Sequence, residues 1–395
     1  MSVLLYSKVF WPMIGGVETY TRLLAEGLAS RGSDQVTVAT AASGPAELPG
    51  SKAHVVRGPG LREVWRLIRR SDAVLLAGPT LVPLTLSLLA RKPVAIEHHG
   101  YQACCPNGLL LYQPSKTVCP ERFLRGAPGS CIKCNWTSMG PLRSIASLAL
   151  TFLRRWMCRH AAVNICVSQH VSKRVQLPNS QVIYHGVPAE GDAHEARRGS
   201  GDGESMVFAY VGRLVCEKGV PVLLEAASML KKEEREFKLR IIGDGPERRE
   251  CERLIRCLNL ADRIEITGFL TGDRLHQALE DVSVVVMPSI GEEAAGLSAI
   301  SQMMRGRAVI AADIGGLSEV VGEAGLKFTP GDPASLAHQM RMILESPGFV
   351  DEIGSRSRDR ALQLFRREQM IESHMSVFRA IAKERTSNQA TGSSR

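Results

Sequence analysis

Two neighbouring carboxylates, Glu292 and Glu293, stand between an apolar run, Val282 to Met287, and a helical segment opening at Gly296 and Leu297. The start of a helix offers unpaired backbone N–H groups and the positive end of its dipole, which favour a bound diphosphate. Ionised carboxylates beside it suit a hydroxyl-rich ligand, because a charged acceptor makes hydrogen bonds about twice as strong as a neutral one. Gly315, Gly316 and Glu319 close this segment. Upstream, Arg213 and Lys218 bracket the loop after another apolar run, Val207 to Val211. Such a pair is either a solvated basic loop or a clamp for the charge of a departing phosphate. Glu97-His98-His99-Gly100 sits where a predicted strand ends, and an imidazole there either satisfies its surroundings or serves as a polar catalyst. Gly15 and Gly16 precede a helical pattern, as a plain turn or as a place where the backbone approaches an anion.

The elements that must position these residues alternate in type. Val3 to Tyr6, Val36 to Ala39, Val74 to Ala77, Val94 to Glu97, Val163 to Ser168 and Val182 to Tyr184 read as strands, with helical patterns between them. Tyr20, Leu23, Leu24, Gly27 and Leu28 line one face of the first helix. The pattern restarts with Val207 to Val211, Leu239 to Ile242, Ile264 to Thr267, Val282 to Met287, Val309 to Ala311 and Leu326 to Phe328. Alternation of this kind implies parallel sheets covered by helices, so two doubly wound α/β domains are expected, over 1–190 and 206–365. Residues 191–205 are composed like a linker, 366–385 form a terminal helical pattern and 386–395 a disordered tail. Ligands of such sheets bind at the carboxyl ends of strands, which places the expected active site in a cleft between the two domains.

At 395 residues the chain is long for one core, and its 44% hydrophobic and 23% charged composition is that of a globular protein. The net charge of +9 is uneven: residues 1–190 hold 21 Lys and Arg against 9 Asp and Glu, the remainder 28 against 31. A basic first half points to an anionic partner, either phosphorylated substrates or a membrane face. Nucleic acid is not expected, because no finger, homeodomain or aromatic RNA-binding motif accompanies the charge and aromatic content is 5%. No signal sequence and no spanning segment is read, and ten cysteines in such a chain imply reduced thiols and a cytoplasmic location.

Taken together, the acidic loop, the Arg213–Lys218 loop, the IIGDGPE segment around Gly243, the TGFL segment around Phe269, the first Gly-Gly and the His99 region resemble family 4 of the retaining glycosyltransferases. The resemblance covers nearly the whole chain and is strongest over 206–335. It implies the GT-B fold, two Rossmann-like domains facing each other across a cleft. It also implies transfer of a sugar from a UDP- or GDP-sugar to a glycan or lipid-linked acceptor, in polysaccharide or glycolipid assembly. A weakly active member retained as a binding subunit is the alternative. In the family's terms Gly15, Gly16, Arg213, Lys218, Gly243, Phe269, Gly296, Leu297 and Ser301 contact the donor, and His99 and Glu293 flank the reacting sugar. Counting back from Cys105-Pro106 selects His99, with His98 the runner-up. Configuration is retained with no cofactor for catalysis, and the chain has no Asp-x-Asp triplet to hold a metal. The terminal helix is implied to return to the first domain.

Three departures accompany the resemblance. The family's Glu-x7-Glu places a second carboxylate at 301, where this chain has Ser301. Charged hydrogen bonds are worth about 1.5–3 kcal/mol, so donor affinity is expected to fall about ten- to a hundredfold. Ala294 and Ala295 replace the usual Phe and Pro, and Gly100 replaces an Asp that would partner the imidazole.

An insert over 101–140 carries Cys105, Cys119, Cys131 and Cys134. Four thiolates close a tetrahedral zinc site, and free thiols on a surface insert are the other reading. Pro141 to His160 combines an apolar face with Arg143, Arg154, Arg155 and Arg159. This is either a core helix with a basic rim or an interfacial helix on the anionic inner leaflet of a membrane.

Overall fold

The computed structural model describes residues 1–31, 35–189 and 205–392. Residues 191–204 of the expected linker and 393–395 of the expected tail lie outside them. The chain divides into two compact units, one of Met1–Pro114, Cys119–Pro188 and the residues from Phe365 on, the other of Ser115–Val118 and Ala189–Leu364.

The first unit is built on strands β1 (Ser2–Ser7), β2 (Gln35–Thr40), β3 (His54–Arg57), β4 (Ala73–Leu76), β5 (Val94–His98), β6 (Val163–Cys166) and β7 (Ser180–Val182). All pairings are parallel, in the order β3-β2-β1-β4-β5-β6-β7. The chain reverses its direction of travel across the sheet between β1 and β4, the place where open α/β sheets bind ligands. Strand β3 is absent from the sequence reading, and β7 lies two residues earlier than expected. Both are short, and their residues are mostly not fully buried, so neither shows the apolar run that marks β4 or β5.

The helix Arg367–Gly392 belongs to this unit. Met370, Ile371, Val377, Phe378 and Ile381 join its core beside Tyr20, Leu24 and Leu28 of helix Gly16–Ser30. The two helices approach closely because Gly27 has no side chain: a Cβ there would run into Ile371. Arg31 and Glu372 pair at 2.9 Å at the rim of this contact.

The second unit repeats the plan with β8 (Val207–Val211), β9 (Lys238–Ile242), β10 (Ile264–Gly268), β11 (Val284–Met287), β12 (Ala308–Ala312) and β13 (Leu326–Phe328). The order is β10-β9-β8-β11-β12-β13, again parallel throughout. Its central strands are buried on both faces, which is why they read as unbroken apolar runs and not as an alternation. The switch point falls between β8 and β11, and the loops that follow these two strands carry Arg213, Lys218 and Glu293.

Candidate active site

In the second unit, Lys218 Nζ lies 2.7 Å from Glu293 Oε2, with the two side chains 20% and 12% exposed. Ser289 donates its hydroxyl to the other carboxylate oxygen. Burial pushes the Glu293 carboxyl up, but Lys218, Ser289 and then Arg213 outweigh it and hold the group below its ordinary range. The two loops are tied through the backbone, since Ile290 N and Gly291 N both donate to Glu217 O at 3.0 Å. That approach needs glycine at 219, which sits at φ +65° and where a Cβ would run into Pro288 O. From the other side, Gly316 N donates to Glu293 O at 2.7 Å. Arg213 is exposed, and the buried Tyr210 fixes its loop by donating to Arg213 O at 2.7 Å. An ammonium has three donors, of which Glu293 engages one. The pair therefore presents a cation to an anion and a carboxylate to hydroxyl groups side by side.

Helix Leu297–Met304 begins next to this pair in sequence. Gly296 precedes it in the left-handed region, at φ +66° and ψ +54°, and no side chain caps it. Its first N–H groups thus have no side-chain acceptor. Ser301 is on this helix, and its hydroxyl donates to Leu297 O at 3.0 Å. A ligand hydroxyl can therefore only donate to it, whereas a carboxylate there would accept from two hydroxyls. Gly243 follows β9 so closely packed that a Cβ would run into Gly212 O, and Phe269 follows β10 with 54% of its surface exposed. The structure thus puts Arg213, Lys218, Gly243, Phe269 and Glu293 at one edge of the sheet, all after carboxyl ends of parallel strands.

In the first unit, β5 ends at His98 and alternation decides between the two histidines. Residues i and i+2 share a side of an extended chain, so Glu97 and His99 meet while His98 points away. His98 is fully buried, with Nε2 2.9 Å from Asn164 Oδ1. Burial pulls its pKa down to about 4. His99 keeps 6% of its side chain exposed, with Nε2 3.2 Å from Glu97 Oε2 and Nδ1 3.2 Å from His185 Nε2. The carboxylate partner missing at Gly100 is therefore supplied by Glu97, two residues earlier.

Glu97 is completely buried, and Tyr20, His99 and His374 all bond to it. His374 Nε2 is 2.8 Å from Glu97 Oε1, and its Nδ1 is 2.7 Å from Met370 O. Burial drives the Glu97 carboxyl up, but the bonds from His374 and His99 reverse this and hold it far below its usual range. His185 stacks against Tyr20 at 4.5 Å, and burial, then His99, lower its pKa to about 3. Its Nδ1 is buried without a hydrogen-bond partner. Tyr20, Glu97, His185 and His374 were not among the expected site residues; only the Glu-x-His spacing was there to find the carboxylate. Gly15 and Gly16 open helix Gly16–Ser30, where no side chain caps the first turn and the Glu18 carboxylate folds over Gly15.

Cys105, Cys119, Cys131 and Cys134 line one cavity of about 10 Å³. Cys105 donates to Asn107 Oδ1 at 3.0 Å, and Gln113 N donates to Cys134 Sγ at 3.4 Å. Burial, with the neighbouring thiols, pushes Cys131 up to about 12. Among the described residues no group of three or more His, Cys, Asp or Glu side chains is placed to hold a metal ion. The four expected zinc ligands are brought together around this one cavity.

The fold agrees with comparisons to known proteins. A family model described as Glycosyltransferase Family 4 matches residues 14–190, and one described as Glycosyl transferases group 1 matches residues 205–346, together more than half the chain. The solved structure of Anabaena Alr3699/HepE in complex with UDP superposes with a TM-score of 0.71 at 19% identity, covering 96% of this chain and 100% of that one. Sucrose-phosphate synthase from Thermosynechococcus elongatus gives 0.72 at 20% identity, covering 96% and 98%. The chain is a family 4 glycosyltransferase with the GT-B fold. Among sequence relatives, the 2-deoxystreptamine glucosyltransferase of Streptomyces kanamyceticus is 30% identical over 217 residues, 51% of this chain and 56% of the relative. The matched stretch is thus little more than half of that glycosyltransferase's length.

Proposed function

We propose that this glycosyltransferase moves a sugar from a UDP-sugar to a hydroxyl of a glycan or lipid-linked acceptor, with retention of configuration and without a divalent ion, in cytoplasmic polysaccharide or glycolipid assembly. The observation that carries the reading is the Lys218–Glu293 pair at the switch point of the second sheet. Uridine is favoured over guanosine because the HepE structure of the same fold was solved with UDP.

In this reading Lys218 and Arg213 take the diphosphate, with the uncapped start of helix Leu297–Met304 supplying further N–H donors. Glu293, kept ionised by Lys218, accepts from sugar hydroxyls, and His99 contacts the reacting sugar from the first unit. The bond between the anomeric carbon and the phosphate oxygen breaks as the acceptor oxygen bonds to the same face of that carbon. The acceptor's proton passes to the departing phosphate oxygen, so no protein nucleophile is required. Fixed cations that are stronger partners for the leaving group than for the bound donor lower the barrier.

Equilibrium binding of UDP and turnover of a panel of UDP- and GDP-sugars test this. UDP binding with slow sugar release that persists in chelator is the expected result; no nucleotide binding, or activity abolished by chelator, overturns it. Binding without any turnover would favour the second reading, a nucleotide-sugar-binding subunit, for which Ser301 is the supporting observation. Ser301→Glu is expected to tighten UDP binding at least about tenfold by restoring an ionised acceptor. An unchanged or weaker Kd would remove Ser301 from the donor site.

A further inference from the structure

Helix Pro141–Cys158 buries Leu148, Met157 and Cys158 together with Ser144 and Thr151, whose hydroxyls bond back to Gly140 O and Ser147 O. Its outward face carries Leu142, Ile145, Phe152, Leu153 and Trp156, exposed by 81%, 50%, 51%, 46% and 57%. At 100° per residue these five fall within a stripe about 100° wide, opposite the buried side. Soluble helices place such a stripe inward, and a contiguous apolar surface marks an interaction site. The stripe is bordered by exposed Arg143 on one side and exposed Arg159 on the other. Between Glu121 and Glu190 the chain has nine Lys and Arg and no Asp or Glu.

Neighbouring helices add exposed apolar and basic residues. Helix Gly129–Met139 packs against Pro141–Cys158 and exposes Trp136 by 52%. Helix Leu81–Leu89, with Leu89 69% exposed, contacts both Pro141–Cys158 and helix Leu61–Arg70, where Leu61 is 66% exposed and Arg66, Arg69 and Arg70 face solvent.

We propose that this face of the first unit lies on a lipid bilayer rich in anionic phospholipid, with Leu142, Phe152, Leu153 and Trp156 entering the headgroup boundary and the flanking arginines bonding to phosphates. Charge decides the occupant. A second copy would bring together two faces whose central stretch, residues 122–189, is cationic and holds no carboxylate, and a nucleic acid would leave the apolar stripe without a partner. An anionic bilayer matches both parts at once. No described helix is long and apolar enough to cross a membrane, so the contact is interfacial. The proposal stands on the surface itself and not on the transfer reaction, although it would bring a lipid-linked acceptor within reach.

Co-sedimentation of the full chain with phosphatidylcholine vesicles, with or without phosphatidylglycerol, tests it, with tryptophan emission and UDP binding read in the same samples. Binding to the anionic vesicles, a blue shift of the emission and release at raised salt are expected. The pairs Phe152→Ser with Trp156→Ser and Arg143→Gln with Arg159→Gln are each expected to cut partitioning at least about tenfold while leaving UDP binding unchanged. No association with anionic vesicles, undiminished partitioning of both variants, or a dimer that the Phe152→Ser, Trp156→Ser pair dissociates would overturn the proposal. Loss of UDP binding with vesicle binding intact would instead sink only the transferase reading.

Discussion

Replacing Lys218 by alanine is expected to lower kcat for sugar transfer about a hundred- to a thousandfold, the usual cost of removing one preorganised partner of a charge that develops in the transition state. The effect should fall on kcat more than on KM, because the leaving diphosphate gains charge as the glycosidic bond breaks. Arg213→Ala should cost less, since its side chain is exposed and solvent screens it. The substitution also removes the group that keeps Glu293 ionised. A carboxyl held below its unfolded value adds stability that is present above the unfolded pKa and is lost as pH falls through the folded one. The Glu293 carboxyl is depressed against its own burial chiefly by Lys218, so the stability gap between the wild type and the alanine variant should be widest near neutrality and close in acid. The acid limb of the rate profile should move to higher pH. Steady-state kinetics and urea unfolding across pH check both statements. A variant with unchanged kcat would take Lys218 out of the reaction.

How much of this was legible in the sequence follows from how each residue is held. The switch-point loops of the second unit could be read because they follow unbroken apolar strands, and Arg213, Lys218 and Glu293 each lie a few residues beyond a strand end. Ser289 went unread because a serine after a proline is an ordinary turn residue until its hydroxyl is seen on Glu293. In the first unit the choice of His99 over His98 rests on the two-residue alternation of β5, and the same alternation contained Glu97. His374 gave no signal of any kind: it reaches Glu97 across 277 positions of sequence, and only the packing of helix Arg367–Gly392 on Gly27 brings it there. The four cysteines show another limit, for their spacing named a cluster that lines one cavity, while the hydrogen bonds that hold Cys105 and Cys134 could be seen only in the fold. The outward stripe of Pro141–Cys158 was visible as an amphipathic pattern, but sequence alone could not say which side faced the core.

Glu97→Gln is the sharper test of the first unit, because it keeps the shape of the side chain and removes its charge. Wild-type Glu97 accepts from Tyr20, His99 and His374 inside a site closed to water. Hydrogen bonds to a charged group are worth about 1.5–3 kcal/mol, and a loss of at least that order is expected near neutrality. By the same linkage rule it should shrink as pH falls through the depressed carboxyl value. A second effect is chemical. If the amide oxygen keeps Tyr20 and His374, the amide nitrogen faces His99 Nε2 and donates to it, so the proton of that ring moves to Nδ1. His99 then meets a sugar hydroxyl with the wrong hydrogen-bonding sense, and a drop in kcat of about a hundredfold is expected, comparable to misplacing a reacting group by an ångström. Phe378→Ala supplies the control: it loosens the same terminal helix and removes a ring 6.1 Å from that of His374, with a loss of about 3–5 kcal/mol, but leaves every hydrogen-bonding atom of Glu97, Tyr20, His99 and His374 in the chain. Glu97 acts as a positioning residue if the Gln variant loses far more rate than the Phe378 variant at matched stability, and if nitrogen NMR of the His99 ring reports the exchanged tautomer. Equal rates in the two variants, or an unaltered ring signal, would reduce Glu97 and His374 to a structural tie between β5 and the terminal helix.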